Sequence, residues 1–109
     1  MSDIYLWETF DRLGREALDR NDFNQANEAF RSAVTTAEEL GSYDRLVLSL
    51  RNLASVLKSQ GRLSDCQELL SRTLEVADQH LGDQHSQTVE THRDLSSACR
   101  ELGFLDKAE

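Results

Sequence analysis

Apolar residues recur along the 109-residue chain in steps of three, four and seven, the spacing that lines up side chains on one face of an α-helix. Ile4, Trp7, Phe10, Leu13, Ala17 and Leu18 mark a first helix, and Ala26, Phe30, Ala33, Ala37 and Leu40 a second. Leu46, Leu50, Leu53, Ala54 and Leu57 mark a third, and Cys66, Leu70, Leu74, Ala77 and Leu81 a fourth. Val89, Leu95, Ala98, Cys99 and Leu102 mark a fifth. Asn21, Gly41, Gly61, Gly82 and Gly103 punctuate this pattern at intervals of 20 or 21 residues. Asn and Gly are the residues that accept the left-handed backbone just past a helix end, so these positions predict five helices joined by short turns. Gly14 is the exception and falls inside the first helix.

The helices alternate in how they end. The odd ones run into a tight turn with a new helix directly behind it, at Asn21-Asp22-Phe23, Gly61-Arg62-Leu63 and Gly103-Phe104-Leu105. The even ones run into longer links, Gly41-Ser42-Tyr43-Asp44 and Gly82-Asp83-Gln84-His85-Ser86. The unit is therefore a helix pair repeating every 40 to 42 residues. Asn21–Ala26 aligns with Gly61–Cys66 and with Gly103–Ala108. Repetition at this period indicates a solenoid of stacked helix pairs. The expected organisation is a single all-α domain over 1–109, with repeats over about 4–41 and 44–82 and a partial third over about 86–109.

Composition narrows the function. There is no proline, and helix-favouring residues dominate. The formal charge is −8, from 20 acidic against 12 basic side chains, which argues against nucleic acid and anionic membranes as partners. No apolar run reaches the ~18 residues of a membrane span. The N-terminus shows no basic segment followed by an apolar stretch, so no signal peptide is expected. The two cysteines, Cys66 and Cys99, do not form a disulfide framework, and a reducing cytoplasm is the expected compartment.

Leu13-Gly14 followed by Ala26, Phe30 and Ala33 resembles the tetratricopeptide pattern. Leu53-Ala54, Gly61, Cys66, Leu70 and Thr73 repeat it, and Leu95-Ser96, Gly103 and Ala108 begin it again. Small residues at Gly14, Ala54, Ser96, Ala26, Cys66 and Ala108 let paired helices approach, and Phe30 and Leu70 fill the space between pairs. The long period, with Leu81-Gly82-Asp83-Gln84-His85-Ser86-Gln87-Thr88, is similar to the long-repeat subtype of kinesin light chains and bacterial signalling proteins. That subtype usually carries His-Pro where His85-Ser86 stands here.

The resemblance implies a right-handed superhelical solenoid whose first helices line a concave groove for a peptide or protein segment, a non-catalytic adaptor or scaffold role, and no cofactor. Carried over, the groove residues are Asp11 and Arg15 from the first unit, Arg51, Asn52, Ser55 and Lys58 from the second, and Arg93, Ser97 and Arg100 from the third. Some family members clamp the C-terminal carboxylates of heat-shock chaperones with Lys, Asn and Arg. The matching positions here hold Asp11, Arg15, Asn52, Glu90 and Asp94, so no such clamp is expected. The third unit ends at Glu109 as its second helix begins. That predicts either a piece of a longer array or, as the alternative function, self-association as a homodimer through Leu95, Ala98, Cys99 and Leu102.

Candidate chemistry is sparse. His80, His85, His92 and Cys99 fall late in the chain, but their spacing matches no zinc pattern, and no metal site is expected. His92 and Cys99 occupy repeat positions where core aromatics usually sit. His85, in the link, is expected to bond backbone. Cys66 is at a packing position and is read as a buried structural thiol. No nucleophile–base arrangement, glycine-rich phosphate loop or paired-carboxylate motif is present, so no enzyme activity is expected.

Overall fold

The computed structural model describes residues 3–108, and the side-chain surroundings of residues 4–103. Five helices follow one another: α1 (Asp3–Asp19), α2 (Phe23–Leu40), α3 (Tyr43–Ser59), α4 (Leu63–His80) and α5 (Ser86–Ala108). Four of the five expected stop signals act as such. Asn21, Gly41, Gly61 and Gly82 all have left-handed backbone, with φ of 60°, 66°, 77° and 86°. The residue after each of the first three turns its N–H back to a carbonyl five residues earlier: Asp22 to Ala17, Ser42 to Ala37 and Arg62 to Leu57. These bonds satisfy carbonyls that the ending helix leaves open. Asp22 then starts α2 by accepting the Gln25 N–H on its carboxylate, which satisfies one of the new helix's open donors.

Two expectations about the links need correction. The α2–α3 link is only Gly41–Ser42, shorter than the three-residue turns after α1 and α3. Asp44 lets α3 begin early: its carboxylate takes the Ser42 hydroxyl at 2.6 Å and the Arg45 N–H at 2.9 Å, and it sits in the first turn, where the helix dipole favours an acid. At the other end, Gly103 makes no turn, and α5 runs through it to Ala108. One interior glycine costs a helix only about 1 kcal/mol, and glycine permits the left-handed turn without requiring it. The expected packing role of Ala108 and the end of the third unit at Glu109 lie outside what is described.

The core is assembled one junction at a time. Trp7 of α1 packs with Ala33 and Ala37 of α2. Ala17 of α1 meets Ala26 and Phe30 of α2 and Val56 of α3. Ala54 of α3, Cys66 and Leu70 of α4 and Ala98 of α5 form the last cluster. Gly14 lets α1 close on α2, since a Cβ there would lie 2.5 Å from the Phe30 ring. In the second pair the same place is filled by Ala54 against the smaller Leu70. Within the first pair, burial of Phe30 contributes roughly 2–3 kcal/mol.

Each helix packs on its neighbours in sequence. α3 additionally touches both α1 and α5, whereas α2 and α4 do not touch. The stack therefore curves toward the first helix of each pair. The result is a slab 53 × 33 × 16 Å with a radius of gyration of 14.1 Å, somewhat above the ~13 Å of a spherical domain this long.

Several junction positions are polar. Thr36, Ser49, Thr73, Thr88 and Thr91 are buried. The Thr36, Thr73, Thr88 and Thr91 hydroxyls donate to backbone carbonyls, and Ser49 accepts the Trp7 indole N–H at 2.9 Å. Bonded this way, a threonine packs as a small branched side chain without the penalty of an unpaired hydroxyl. Thr88 and Thr91, with Ala98, form the buried side of α5. His92 and Cys99, expected in core positions, are exposed instead. Leu13 is also on the surface, at 38 % exposure.

Candidate functional site

The inner edges of α1, α3 and α5 bring together most of the residues assigned to a groove. They are joined by a ladder of polar contacts that crosses from helix to helix. Asn52 of α3 donates to the Asp11 carboxylate of α1 at 2.9 Å. Arg51 of α3 meets Asp94 of α5 through Nε at 2.8 Å and also donates to Gln87 Oε1 at 2.8 Å. One turn pair further on, Lys58 meets Glu101 at 3.2 Å. Arg51 and Lys58 are seven residues apart on α3, as are Gln87, Asp94 and Glu101 on α5, so both sets lie along single helix faces.

Electrostatics differ along the ladder. Asp11 is buried, with 6 % exposure, and burial pushes its carboxyl above the usual range. Arg15, at 3.1 Å, and the Asn52 amide act in the opposite direction. Burial likewise raises the Cys66 thiol. Lys58 opposes that shift, and Asp94 and Glu101 add to it. The thiol is thereby kept protonated and unreactive.

The nine groove residues do not form one continuous cleft. Arg51, Ser55, Lys58 and Ser97 surround a cavity of about 100 Å³ between α3 and α5, floored by apolar side chains that include Ala54 and Leu70. Asp11 and Arg15 line a separate depression on α1 beside Trp7, where the Arg45 guanidinium lies 5.5 Å above the Trp7 ring. Asn52 ties the two together through Asp11. Arg93 and Arg100 are exposed and share the Ser97 face of α5 by their spacing. Arg93 pairs with Glu90 of its own helix at 3.5 Å. Gln87, Asp94 and Glu101 complete the site from α5, and the seven-residue spacing they share with Arg51 and Lys58 is the sequence signal for them.

The residues assigned to a self-association face are divided by the packing. Ala98 is 2 % exposed within the last core cluster, and Leu95 packs against the same cluster. Cys99 is open to solvent and accepts a hydrogen bond from the Gln67 amide at 3.1 Å. Leu102 is half-buried. The boundary between covered and open surface thus runs between Ala98 and Cys99, because α5 turns its small residues onto α3 and α4.

The histidines are dispersed in use. His85 Nδ1 accepts the Gln87 N–H in the last link, the expected backbone bond. The His80 ring stacks on Tyr43 at 3.7 Å. Among the described residues no three His, Cys, Asp or Glu side chains are grouped to hold a metal, and no helix is long and apolar enough to cross a membrane.

A protein-family model described as "Tetratricopeptide repeat" matches residues 45–109, more than half of the chain. No curated protein matches it.

Proposed function

Because the chain belongs to the tetratricopeptide repeat family, whose members are generally non-catalytic protein-interaction modules, we propose that it is an adaptor that binds a peptide or protein segment along the inner edges of α1, α3 and α5. The observation that carries this reading is the ladder itself. Arg51 and Lys58 are held upright by Asp94 and Glu101 from the neighbouring helix, around a small cavity with an apolar floor. A bound segment supplies carboxylates that compete for those cations and a small apolar side chain that enters the cavity. A cavity of roughly 150 Å³ admits benzene, so about two-thirds of that volume suits a branched aliphatic group. Charge-assisted bonds to preset guanidinium and ammonium groups are stronger than neutral ones and set orientation. The overall acidity and the two free thiols fit a protein partner in the cytoplasm rather than nucleic acid or membrane.

The test is photo-crosslinking in the source cell with benzoylphenylalanine at Ser55 or Ser97. A partner crosslinked there is expected to be lost when Arg93→Glu and Arg100→Glu are combined, because both exposed cations share the Ser97 face. If the same partner is captured unchanged by the charge-reversed protein, the inner-edge reading is wrong.

A further inference from the structure

On the opposite side of the slab, α2 and α4 stand apart with no contact between them, and the gap is a groove of about 770 Å³. Its floor is apolar: Leu53 and Leu57 of α3 lie between Phe23 and Val34 of α2 and Leu69 of α4. All five are half-buried, so they serve the core from beneath and still present surface to the groove. The space sits well within the range typical of ligand-binding clefts, about 300–1,000 Å³.

The two walls differ. On the α4 side, Arg62 is held by Asp65 through two bonds of 2.9 and 2.7 Å, and Arg72 by Glu68 at 3.0 Å. On the α2 side, Asn24, Asn27 and Arg31 follow at helical spacing along one edge. Among the described residues, the Arg31 guanidinium has no carboxylate partner, and the Asn24 and Asn27 amides have no hydrogen-bond partner. The groove thus carries an unmatched positive charge on a molecule whose net charge is −8.

We propose that this outer groove is a second docking site, distinct from the inner ladder, and that it takes an extended, acidic peptide segment carrying apolar side chains. Three features select that occupant. Arg31 calls for a carboxylate. The apolar floor takes alternate side chains of an extended strand. The Asn24 and Asn27 amides each offer a donor and an acceptor, which match the free N–H and C=O of an extended backbone. A helical occupant satisfies those groups internally and leaves the two amides idle. The α2 wall from Phe23 to Thr35 is about 18 Å of helix, the length of about six extended residues.

The test uses three fluorescent synthetic peptides titrated into the full chain. One alternates Asp or Glu with Leu or Phe. A second carries Lys in place of each acid. The third has the composition of the first, rearranged so that its apolar residues share one helical face. The alternating acidic peptide is expected to bind and to shift the side-chain amide NMR signals of Asn24 and Asn27. Arg31→Glu is expected to weaken it at least about tenfold, Asn27→Ala to weaken it by a smaller factor, and Arg12→Glu, an equal charge change on α1, to leave it unchanged. Circular dichroism confirms that each variant keeps its helices. The proposal is overturned if the lysine peptide binds equally well or the helical arrangement binds more tightly. It is equally overturned if the shifts fall on α1 and α5, or if the groove signals move with protein concentration alone because a second copy fills it. Loss of the inner-edge crosslink leaves this result untouched, so the two sites fail separately.

Discussion

Arg51 on α3 and Asp94 on α5 meet at 2.8 Å across the junction between the second helix pair and the third. The side chains are 18 % and 38 % exposed, so the pair sits between a solvated surface bridge and a buried one. In a double-mutant cycle of Arg51→Ala and Asp94→Ala, urea unfolding is expected to give a coupling of about 1 kcal/mol. A coupling indistinguishable from zero would remove the ladder as a link between repeats.

Gly14 and Phe30 make a second pair for substitution. A methyl group at position 14 meets the Phe30 ring at 2.5 Å in a fully buried setting. Overpacking of this kind costs about 1–3 kcal/mol, against roughly 1 kcal/mol gained in helix propensity. Gly14→Ala is therefore expected to lower stability on balance. Adding Phe30→Leu reproduces the Ala54–Leu70 arrangement of the second pair, and the double variant is expected to be more stable than the sum of the two single changes. Strict additivity in thermal melts would count against the contact.

The turns offer a paired comparison. Asn21 adopts φ 60° and Gly61 φ 77° at equivalent places in the repeat. Gly61→Ala is expected to destabilise by about 1 kcal/mol, because a Cβ disfavours the left-handed backbone. Asn21→Gly is expected to stabilise by roughly 0.5 kcal/mol, because it removes that strain. Opposite signs in chemical denaturation are the result to look for.

Asp11 gives the pH dependence. Its carboxyl is raised mainly by burial, so the native state holds the proton more tightly than the unfolded chain does. Between the ordinary aspartate value and the raised one, the native state binds more protons, and this residue's contribution to stability falls as pH rises. Asp11→Asn removes the buried charge and keeps an acceptor for Asn52. The variant is expected to gain on the wild type as pH rises through that window and to keep the gain at neutral pH. A difference that stays constant from pH 3 to pH 7, on the order of that aspartate window, would contradict this.

Most of the architecture was legible in the residues. The apolar periodicity and the Asn21–Gly82 punctuation place four helix ends, and the left-handed angles at those positions bear them out. Gly103 misled because glycine permits a turn without requiring one. The inner-edge cations were legible too, since Arg51 and Lys58 fall on one face. Their engagement by Asp94 and Glu101 was not, because the match depends on how far α5 slides along α3. Thr88 and Thr91 are polar by type, and only the backbone bonds that silence their hydroxyls make them core. The outer groove is invisible to periodicity, since it is a space left between two helices that are not adjacent in the chain.

That space also has a mechanical meaning. The inner helices α1, α3 and α5 touch in a continuous line, while α2 and α4 stand free of each other. The inner line is therefore the narrow side of a fan, and the outer helices are blades joined to each other only through α3. Any change in the gap between α2 and α4 must pass through the cores that hold each of them to α3, so the width of the outer groove is set by how Val56 and Ala54 of that one helix pack on its two sides.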